Sequence, residues 1–223
     1  MHKTAIMATG GMDSTVLMYE QVKRGDKPLI LTTNYGQDAF SKQVELLTHH
    51  AHVLGGLQID ILEMPVFPWQ KKGEGLFTPG YVSHEEDPLG DWDKLRYEET
   101  FVEGRNMIMI AYALAYCSAH KIDELLVGYL YGKEEWQKRR TYKLMTGDNS
   151  PQFVDMMNML TGVGLSYQTR IRAPFYERHW DKRDVYQFGC TLDVDFAKTH
   201  SCYFVPACGK CDNCLLRKQI IGE

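Results

Sequence analysis

Four cysteines near the C-terminus have the residue type and spacing of a metal site. Five residues lie between Cys202 and Cys208, and two residues lie in each of the gaps from Cys208 to Cys211 and from Cys211 to Cys214. Four thiolates at this spacing predict a closed tetrahedral zinc site, and a site with only protein ligands is structural. A redox pair and an iron–sulfur cluster are the alternatives, but neither standard ferredoxin spacing is present. The zinc would hold a C-terminal helix around residues 215–217 against the body of the protein.

A glycine pair near the N-terminus has the composition of an anion-binding loop. An apolar run at residues 5–8 predicts a buried strand, Gly10 and Gly11 follow it, and an apolar-periodic segment then predicts a helix. The N–H groups that begin a helix lack intrahelical partners and lie at the positive end of its dipole, so they attract phosphate. The glycines permit the close backbone approach that such a loop needs.

Polar side chains in this loop could assist in binding. Thr9, Ser14 and Thr15 offer hydroxyl groups, and Asp13 could cap the helix or help to hold a metal ion beside a phosphate. The spacing is neither that of a Walker A loop nor that of Gly-x-Gly-x-x-Gly. A phosphate site is the favoured interpretation, and the alternative is a plain glycine turn with Asp13 as the N-cap.

A second candidate anion site precedes an apolar helix predicted over residues 107–116. Gly104, Arg105 and Asn106 place a cation and an amide at its start, and Arg105 has the planar fork that suits phosphate or carboxylate. Contact with a ligand is favoured over an arginine that caps a neighbouring strand end. Because apolar residues occur on nearly every face, the helix is predicted to be buried.

Apolar runs that alternate with helical patterns must position these groups. Strands are predicted at residues 5–8, 29–33, 57–62, 123–128 and 170–174. The alternation predicts a parallel sheet flanked by helices, with right-handed crossovers. Ligands of such sheets lie at the carboxyl ends of the strands, so the turn at residues 34–37 is expected to face the same crevice as the glycine loop.

Two segments interrupt the alternation. Residues 64–100 lose all periodicity and hold several prolines and glycines, which predicts a lid beside the site. Residues 129–145 are rich in lysine, arginine, glutamate and aromatic residues. A solvated face is the simpler interpretation of this second segment, and attraction of an anionic substrate toward the crevice is the alternative.

Some residues that could bind metals have a simpler explanation. His49, His50 and His52 have no acid or cysteine to complete a ligand set, so they are expected to face solvent. Cys117 and Cys190 stand apart from the other cysteines and are predicted to be buried thiols.

Two further helices are predicted before the tail. Ser150-Pro151 begins the first, on which Phe153, Met156, Met157 and Leu160 form one apolar face, with the methionines assigned to the core. A second helix is predicted over residues 181–188, with an aspartate at its cap.

The bulk properties are those of an ordinary globular protein. The 223 residues suffice for one α/β domain at residues 1–200, with a metal-bound tail at 201–223 packed on it. An apolar content of 44%, a charged content of 24% and a net charge of -4 provide no general surface for nucleic acid. Neither a signal peptide nor a membrane-spanning apolar run is found, so a cytoplasmic address and reduced, metal-binding cysteines are expected.

Together these motifs resemble those of a known family. The first loop resembles the Ser-Gly-Gly-x-Asp-Ser loop of the PP-loop ATP pyrophosphatases, with Thr9 in place of serine. Asn-Tyr-Gly-Gln at 34–37, Phe-Val-Glu-Gly-Arg-Asn at 101–106 and the cysteine tail then follow in the order found in the 7-cyano-7-deazaguanine synthases. The resemblance extends from residue 5 to residue 217.

This resemblance implies an adenine-nucleotide α-hydrolase-like fold and a ligase that converts 7-carboxy-7-deazaguanine (with ATP and ammonia) to 7-cyano-7-deazaguanine, or preQ0. It implies catalytic roles for Asp13, Ser14, Arg105 and Asn106, magnesium on the pyrophosphate, an adenylated carboxylate, an amide intermediate and commonly a homodimer. The positions it assigns to ATP binding are Ala8, Thr9, Gly10, Gly11, Met12, Asp13, Ser14, Thr15, Val16, Leu17, Met18, Tyr35, Gly36, Gln37, Gly104 and Gly128.

The chain departs from the family pattern in three places. Asn34 replaces Asp, Glu103 replaces Pro, and residues 128–136 differ from the segment that contributes to the family's substrate pocket. Alternatives are therefore a relative that stops at the 7-amido product or adenylates another carboxylate, and a non-catalytic nucleotide-binding module. A tRNA-modifying enzyme would share the phosphate loop, but neither a catalytic cysteine pair nor an RNA-binding surface is evident.

Overall fold

A computed structural model describes residues 2–65, 102, 104–130, 149–209 and 211–222 of the chain. The strands are β1 (Thr4–Met7), β2 (Leu29–Asn34), β3 (Ile59–Glu63), β4 (Glu124–Leu126) and β5 (Arg170–Arg172). They form one sheet in the order β3-β2-β1-β4-β5, and every neighbouring pair is parallel. The predicted parallel sheet with flanking helices is confirmed.

Side chains cap the first turn of two of the described α-helices. The α-helices are α1 (Met12–Lys23), α2 (Phe40–Val53), α3 (Arg105–Ala119), α4 (Pro151–Gly164), α5 (Pro174–Glu177), α6 (Lys182–Thr191) and α7 (Asp212–Ile221). Ser150 caps α4 by accepting a 3.1 Å hydrogen bond from the backbone N–H of Phe153. Asp181 and Asp184 form a capping box at the start of α6, which confirms the predicted cap. The short α5 was not predicted, because four residues carry no helical periodicity.

Different helices cover the two faces of the sheet. Leu125 and Leu126 are consecutive in β4 and therefore point to opposite faces. On the side of Leu125, α3 and α4 contribute buried residues such as Leu114. On the side of Leu126, α1 and α6 contribute residues that include Val16 and Val185.

The contact between α1 and α6 depends on Gly189. A Cβ atom at this position would lie 2.4 Å from the ring of Phe196 and 2.8 Å from Cγ2 of Val16. These distances are too short for any side chain, so α6 can approach α1 this closely only with glycine at this position.

The prediction that α3 is buried on every face is wrong. Ile110, Ala113 and Leu114 are buried, but Met107 and Tyr112 are 52% and 46% exposed. A helix that flanks a sheet buries only the stripe that faces the strands, even where its other side is apolar.

The expectation that all three histidines of α2 face solvent is wrong for His50, which is fully buried, although His49 and His52 are exposed. The Nδ1 atom of His50 accepts a 3.0 Å hydrogen bond from the hydroxyl of Tyr19, and its Nε2–H donates to the carbonyl of Lys198 at 2.9 Å. Burial lowers the pKa of His50 below 6.5. The neutral imidazole thus joins α2 to α1 and to the segment that precedes the tail.

The predicted apolar face of α4 is only partly buried. Met157 belongs to the core, whereas Met156 and Leu160 are 65% and 58% exposed, so the assignment of Met156 to the core is wrong. The helix lies beside the edge strand β5 and packs only one narrow stripe against the sheet.

The two cysteines outside the cluster differ in exposure. Cys117 is a buried thiol as predicted, and burial raises its pKa to about 12. Cys190 is exposed near the end of α6, which contradicts the prediction. Its neighbour Gly189, rather than Cys190, lies on the stripe that faces α1.

Three sets of predictions lie outside the described residues. They are the lid from residue 66 onward, the basic segment from residue 131 onward, and positions 101 and 103 of the arginine motif. The division into residues 1–200 and 201–223 stays a prediction. Among the described helices, none combines the length and the apolar character that crossing a membrane requires.

Candidate active site

A cavity of about 200 Å³ lies where the strand order reverses between β1 and β4. In open parallel sheets, ligands bind in the crevice at this point because the following loops diverge to opposite sides. The described lining comes from the ends of β1 and β4 and the starts of α1 and α3: Met7, Ala8, Thr9, Gly11, Asp13, Ser14, Asn106, Met109, Ile110, Val127, Gly128 and Tyr129.

The structure brings together polar residues that are far apart in sequence. Asp13 and Ser14 from the glycine loop meet Asn106 from the second predicted anion site and Gly128 from the end of β4. The lining residues that sequence analysis missed are Met7, Met109, Ile110, Val127 and Tyr129. The strand order would have indicated those at the ends of β1 and β4, but local patterns alone do not fix that order.

The glycine loop has the geometry expected of an anion site. Gly10 has a φ of +68°, and Gly11 precedes α1 without a side-chain cap on the helix. Asp13 therefore does not cap the helix, so the plain N-cap alternative is wrong. Ser14 Oγ donates to the carbonyl of Gly11 at 3.2 Å and accepts from the N–H of Thr9 at 3.4 Å, which ties the loop to the first turn of α1.

Several residues assigned to ATP binding support the loop from the core. Met12, Val16, Leu17 and Met18 are fully buried in the cluster that α1 forms with the sheet, so their side chains do not reach the cavity. Thr15 is also fully buried, and its hydroxyl has no described hydrogen-bond partner. The resemblance assigns all of residues 8–18 to ATP binding, but only one stripe of α1 faces the crevice.

Gly128 lets β4 approach the loop closely. A Cβ atom at Gly128 would lie 3.1 Å from Asp13 Cβ and 3.3 Å from the backbone nitrogen of Ser14. Either contact would push the first turn of α1 away from the sheet. Glycine at the end of β4 thus keeps Asp13 and Ser14 in the cavity wall.

Asp13 forms an ion pair that sequence analysis missed. Its Oδ2 atom accepts a 2.5 Å hydrogen bond from Nζ of Lys182, the first residue of α6. Its Oδ1 atom is buried without a described hydrogen-bond partner. The signal in the sequence was a lysine in helical register with Val185 and Gly189, which are both buried.

Arg105 lies next to the cavity wall but is not among its lining residues. Its guanidinium interacts with Tyr35 and lies 5.7 Å from the ring centre of Tyr203. Burial alone would lower the pKa of Arg105, but the two tyrosine hydroxyls hold it above its usual value. Of the two residues, Asn106 lines the described cavity, and direct contact of Arg105 with a ligand stays a prediction.

The turn at residues 34–37 supports the glycine loop from behind. The N–H of Tyr35 donates to Gln37 Oε1 at 2.9 Å, and Gln37 Nε2 donates to Thr33 O at 2.8 Å and to Gln43 Oε1 at 3.0 Å. A Cβ atom at Gly10 would lie 3.2 Å from the carbonyl of Gln43. Residues 35–37 and Gly104 are not among the described lining of the cavity, and their assignment to ATP binding stays a prediction.

The four tail cysteines converge as predicted. Their Sγ atoms all lie within 4.8 Å of one another, with 3.6 Å between Cys202 and Cys208, 3.9 Å between Cys202 and Cys211, and 4.0 Å between Cys208 and Cys214. Tetrahedral zinc with bonds of about 2.3 Å requires sulfur separations of about 3.8 Å. A disulfide requires about 2.05 Å. The sulfur separations therefore fit one zinc ion, and they are too long for a disulfide bond between these cysteines.

Hydrogen bonds favour a thiolate at Cys202, whereas the hydrogen bond to Cys202 raises the pKa of Cys211 and burial raises the pKa of Cys214. The backbone N–H groups of Phe204 and Cys208 donate to Cys202 Sγ at 3.4 and 3.3 Å. A hydrogen bond from the thiol of Cys211, aided by these two N–H groups, holds the pKa of Cys202 well below its usual value. Thiolate is the form that binds metal.

The tail contacts the main body next to the glycine loop. Arg217 of α7 donates to Thr199 Oγ1 and to the carbonyl of Phe196, each at 2.7 Å. The N–H of Val205 donates to Asp38 Oδ2 at 2.9 Å. The hydrogen bonds of Arg217 thus fasten α7 to residues 196–199.

The sheet order, the glycine loop at the reversal point and the cysteine tail together define an α/β protein of the PP-loop class. Over residues 3–222 the chain matches the family model described as Queuosine biosynthesis protein QueC, and it belongs to that family. Among curated relatives, 7-cyano-7-deazaguanine synthase of Desulfotalea psychrophila is 30% identical, over 97% of this chain and 92% of the relative.

Relatives from distant organisms carry the same name. The 7-cyano-7-deazaguanine synthase of Porphyromonas gingivalis is 28% identical, over 98% of this chain and 91% of the relative. That of Halobacterium salinarum is also 28% identical, over 97% of this chain and 90% of the relative. The similarity therefore covers nearly the full length of each protein.

Proposed function

We propose that this protein is an ATP-dependent ligase that converts 7-carboxy-7-deazaguanine and ammonia to 7-cyano-7-deazaguanine. The observation that carries the proposal is the cavity at the β1–β4 reversal, where Asp13, Ser14 and Asn106 surround an anion-binding helix start. Membership of the family and the names of the relatives give the substrate class.

The proposed reaction proceeds in two activation cycles. A carboxylate oxygen attacks the α-phosphorus of ATP and expels pyrophosphate, which leaves an acyl adenylate. Ammonia attacks the carbonyl carbon, loses a proton, and releases AMP together with one original carboxylate oxygen. The amide oxygen then attacks the α-phosphorus of a second ATP and expels pyrophosphate, and loss of AMP with two protons from nitrogen leaves the nitrile. Each cycle thus converts an oxygen that is a poor leaving group into part of AMP, which leaves readily.

The residues of the cavity wall would hold the reacting groups. The N–H groups at the start of α1 and the hydroxyl of Ser14 would bind the phosphates, because the helix dipole places positive potential there. Asn106 would bind the carboxylate or a phosphate oxygen from the opposite wall. Preorganised donors of this kind stabilise charge that develops in the transition state.

Arg105 has an indirect role in this scheme. It interacts with Tyr35, which follows β2, and packs over Tyr203 of the cysteine tail. Because Arg105 and Asn106 are adjacent at the start of α3, fixing the first orients the second toward the cavity. We therefore assign Arg105 to positioning of Asn106 rather than to direct binding.

Two metals belong to the proposal. Zinc would be held by the four tail cysteines, where it supplies a structural crosslink. Magnesium would accompany the phosphates, as it does in most nucleotide chemistry. The Oδ1 atom of Asp13, which has no partner among the described residues, offers a carboxylate ligand of the type that magnesium prefers. In this proposal the residues of the cavity wall bind and orient the nucleotide and the carboxylate.

We also propose a cytoplasmic homodimer. The residues Met156, Met159, Leu160 and Val163 of α4 form an apolar face with side chains 58% to 87% exposed. An exposed apolar face of this kind marks a protein contact, and the family resemblance makes a second copy the occupant. Val163→Glu should then convert a dimer to a monomer in light scattering, whereas a wild-type monomer would contradict this part of the proposal.

Product mass tests the function. The protein is incubated with 7-carboxy-7-deazaguanine, ATP, magnesium and ammonium, and the product is analysed by mass spectrometry with pyrophosphate measured in parallel. The proposal predicts the nitrile, which is one water lighter than the amide. Accumulation of the amide alone would show that the enzyme stops after one cycle, and unchanged carboxylate without pyrophosphate would refute the ligase assignment.

A further inference from the structure

Lys182 is a charged residue on the inward-facing side of a helix. It begins α6, and Val185 and Gly189 lie three and seven residues later on the same face. Val185 is fully buried, and Gly189 packs against Val16 of α1. The face that carries Lys182 is therefore the face that contacts α1.

The ammonium group of Lys182 ends beside the glycine loop. It lies 2.5 Å from Oδ2 of Asp13, and the two side chains are only 15% and 23% exposed. Gly128 packs against the opposite side of Asp13. A Cβ atom added at Gly128 would lie only 3.1 Å from Asp13 Cβ, which is closer than an ordinary van der Waals contact. The carboxylate is thus held between α6 and the end of β4, with Oδ1 left free of described partners.

A carboxylate at this position opposes phosphate binding unless its charge is balanced. Asp13 is in the first turn of α1, and both it and Ser14 line the cavity. Two negative charges a few ångström apart repel each other, most strongly where solvent is excluded. The positive end of the helix dipole corresponds to only about half a charge, so it cannot offset a full carboxylate. In the absence of magnesium, a cation of the protein itself must therefore balance the charge of Asp13.

We propose that Lys182 is a positioning and charge-compensating residue for nucleotide binding. Its ammonium neutralises Asp13 and fixes the carboxylate, so that the start of α1 remains attractive to the phosphates of ATP. This inference rests on the proposed function and adds to it a residue that lies outside the loop motif. The lysine acts through Asp13 and not by its own contact with phosphate.

The test measures binding of a non-hydrolysable ATP analogue by calorimetry in buffer without added magnesium. Lys182→Gln should weaken binding by about tenfold or more, since it leaves an unbalanced carboxylate beside the phosphates. Lys182→Arg should retain most of the affinity. Adding Asp13→Asn to Lys182→Gln should restore binding to within about threefold of wild type, because the repelling charge is then removed.

Arg178 provides the matched control. Its guanidinium lies 2.5 Å from Oε1 of Glu20. Glu20, like Asp13, belongs to α1, but it lies away from the glycine loop. Arg178→Met should lower thermal stability and leave analogue affinity unchanged. A Lys182→Gln protein that binds as tightly as wild type overturns the inference, and so does a double variant as weak as Lys182→Gln, which would indicate direct phosphate contact. A wild-type protein that does not bind the analogue overturns the proposed function and this inference with it.

Discussion

The backbone N–H of His200 donates a 2.9 Å hydrogen bond to the carbonyl of Gly10. This bond joins the segment that leads into the cysteine cluster directly to the glycine loop. The imidazole of His200 also contacts the carbonyl of Phe204 at 3.0 Å, within the cluster itself. The shape of the loop thus depends on a segment about 190 residues away in the chain.

Loss of zinc should weaken nucleotide binding as well as stability. Cys211→Ser removes one of four ligands, so bound zinc should fall well below the single ion per chain expected of wild type. The thermal midpoint should fall, and binding of the ATP analogue should weaken, because the segment that holds Gly10 loosens. Zinc content, thermal unfolding and calorimetry measure the three effects.

Cys190→Ser is the control for this experiment, since Cys190 is exposed and lies outside the cluster. It should leave all three quantities unchanged. A zinc-free Cys211→Ser protein that binds the analogue as tightly as wild type would show that the tail does not position the loop.

Gly128→Ala should impair nucleotide binding more than folding. The added methyl group would press on Asp13 Cβ at 3.1 Å and on the nitrogen of Ser14 at 3.3 Å, which moves both residues in the cavity wall. Analogue affinity should fall by about tenfold, and stability by only about 1 kcal/mol. Gly162→Ala is the control, because its new methyl group would meet only the end of Gln168 at 3.8 Å. Equal affinity for the two variants would argue against this account of Gly128.

Gly189→Ala should destabilise the protein by about 1–3 kcal/mol, since its methyl group overlaps Phe196 and Val16. Denaturant unfolding measures the change. Gly164→Ala, at the end of α4 with no atom within 4 Å of the new methyl group, should be neutral or slightly stabilising. If Gly189→Ala were no less stable than Gly164→Ala, α6 would not be packed on α1 as closely as described.

Stability should depend on the protonation of His50. Its folded-state pKa lies below 6.5, so as the pH falls through about 6.5 the unfolded chain gains a proton that the folded protein resists. The stability gained from neutral His50 is therefore present above this pH and is lost toward pH 5.5. His50→Gln should be less stable at pH 7.5 but should lose less stability on acidification.

His52→Gln serves as the comparison, because His52 is exposed on the same helix and shares no buried contact with Tyr19. It should keep the wild-type pH dependence. Chemical unfolding at pH 7.5 and 5.5 measures both variants, and an unchanged slope for His50→Gln would contradict the assignment of a neutral buried imidazole.

The individual strands and the cysteine cluster could be predicted because each is encoded in a short stretch of sequence. Apolar runs and caps define the strands and helices, and the cysteine spacing defines the donor set. The contacts of His50, Arg105 and Lys182 could not be predicted in the same way. Each has a partner far away in the sequence, so its environment depends on which helices meet in the fold.

Burial was the least predictable property of the helices. Composition alone does not distinguish a helix enclosed on all sides from one that covers a sheet with a single stripe. Met107 of α3 and Met156 of α4 are exposed for this reason. The side chains that reach the cavity from α1 were likewise fewer than the loop motif suggested, because most of that helix faces the core.

The most direct measurement uses 7-carboxy-7-deazaguanine labelled with ¹⁸O in both carboxylate oxygens. Attack of these oxygens on the α-phosphorus of ATP transfers each of them to AMP when it leaves. The account predicts two molecules of AMP for every nitrile formed, each with one ¹⁸O atom, and pyrophosphate without label. Unlabelled AMP, or label recovered in inorganic phosphate, would contradict adenylation of the carboxylate at this loop.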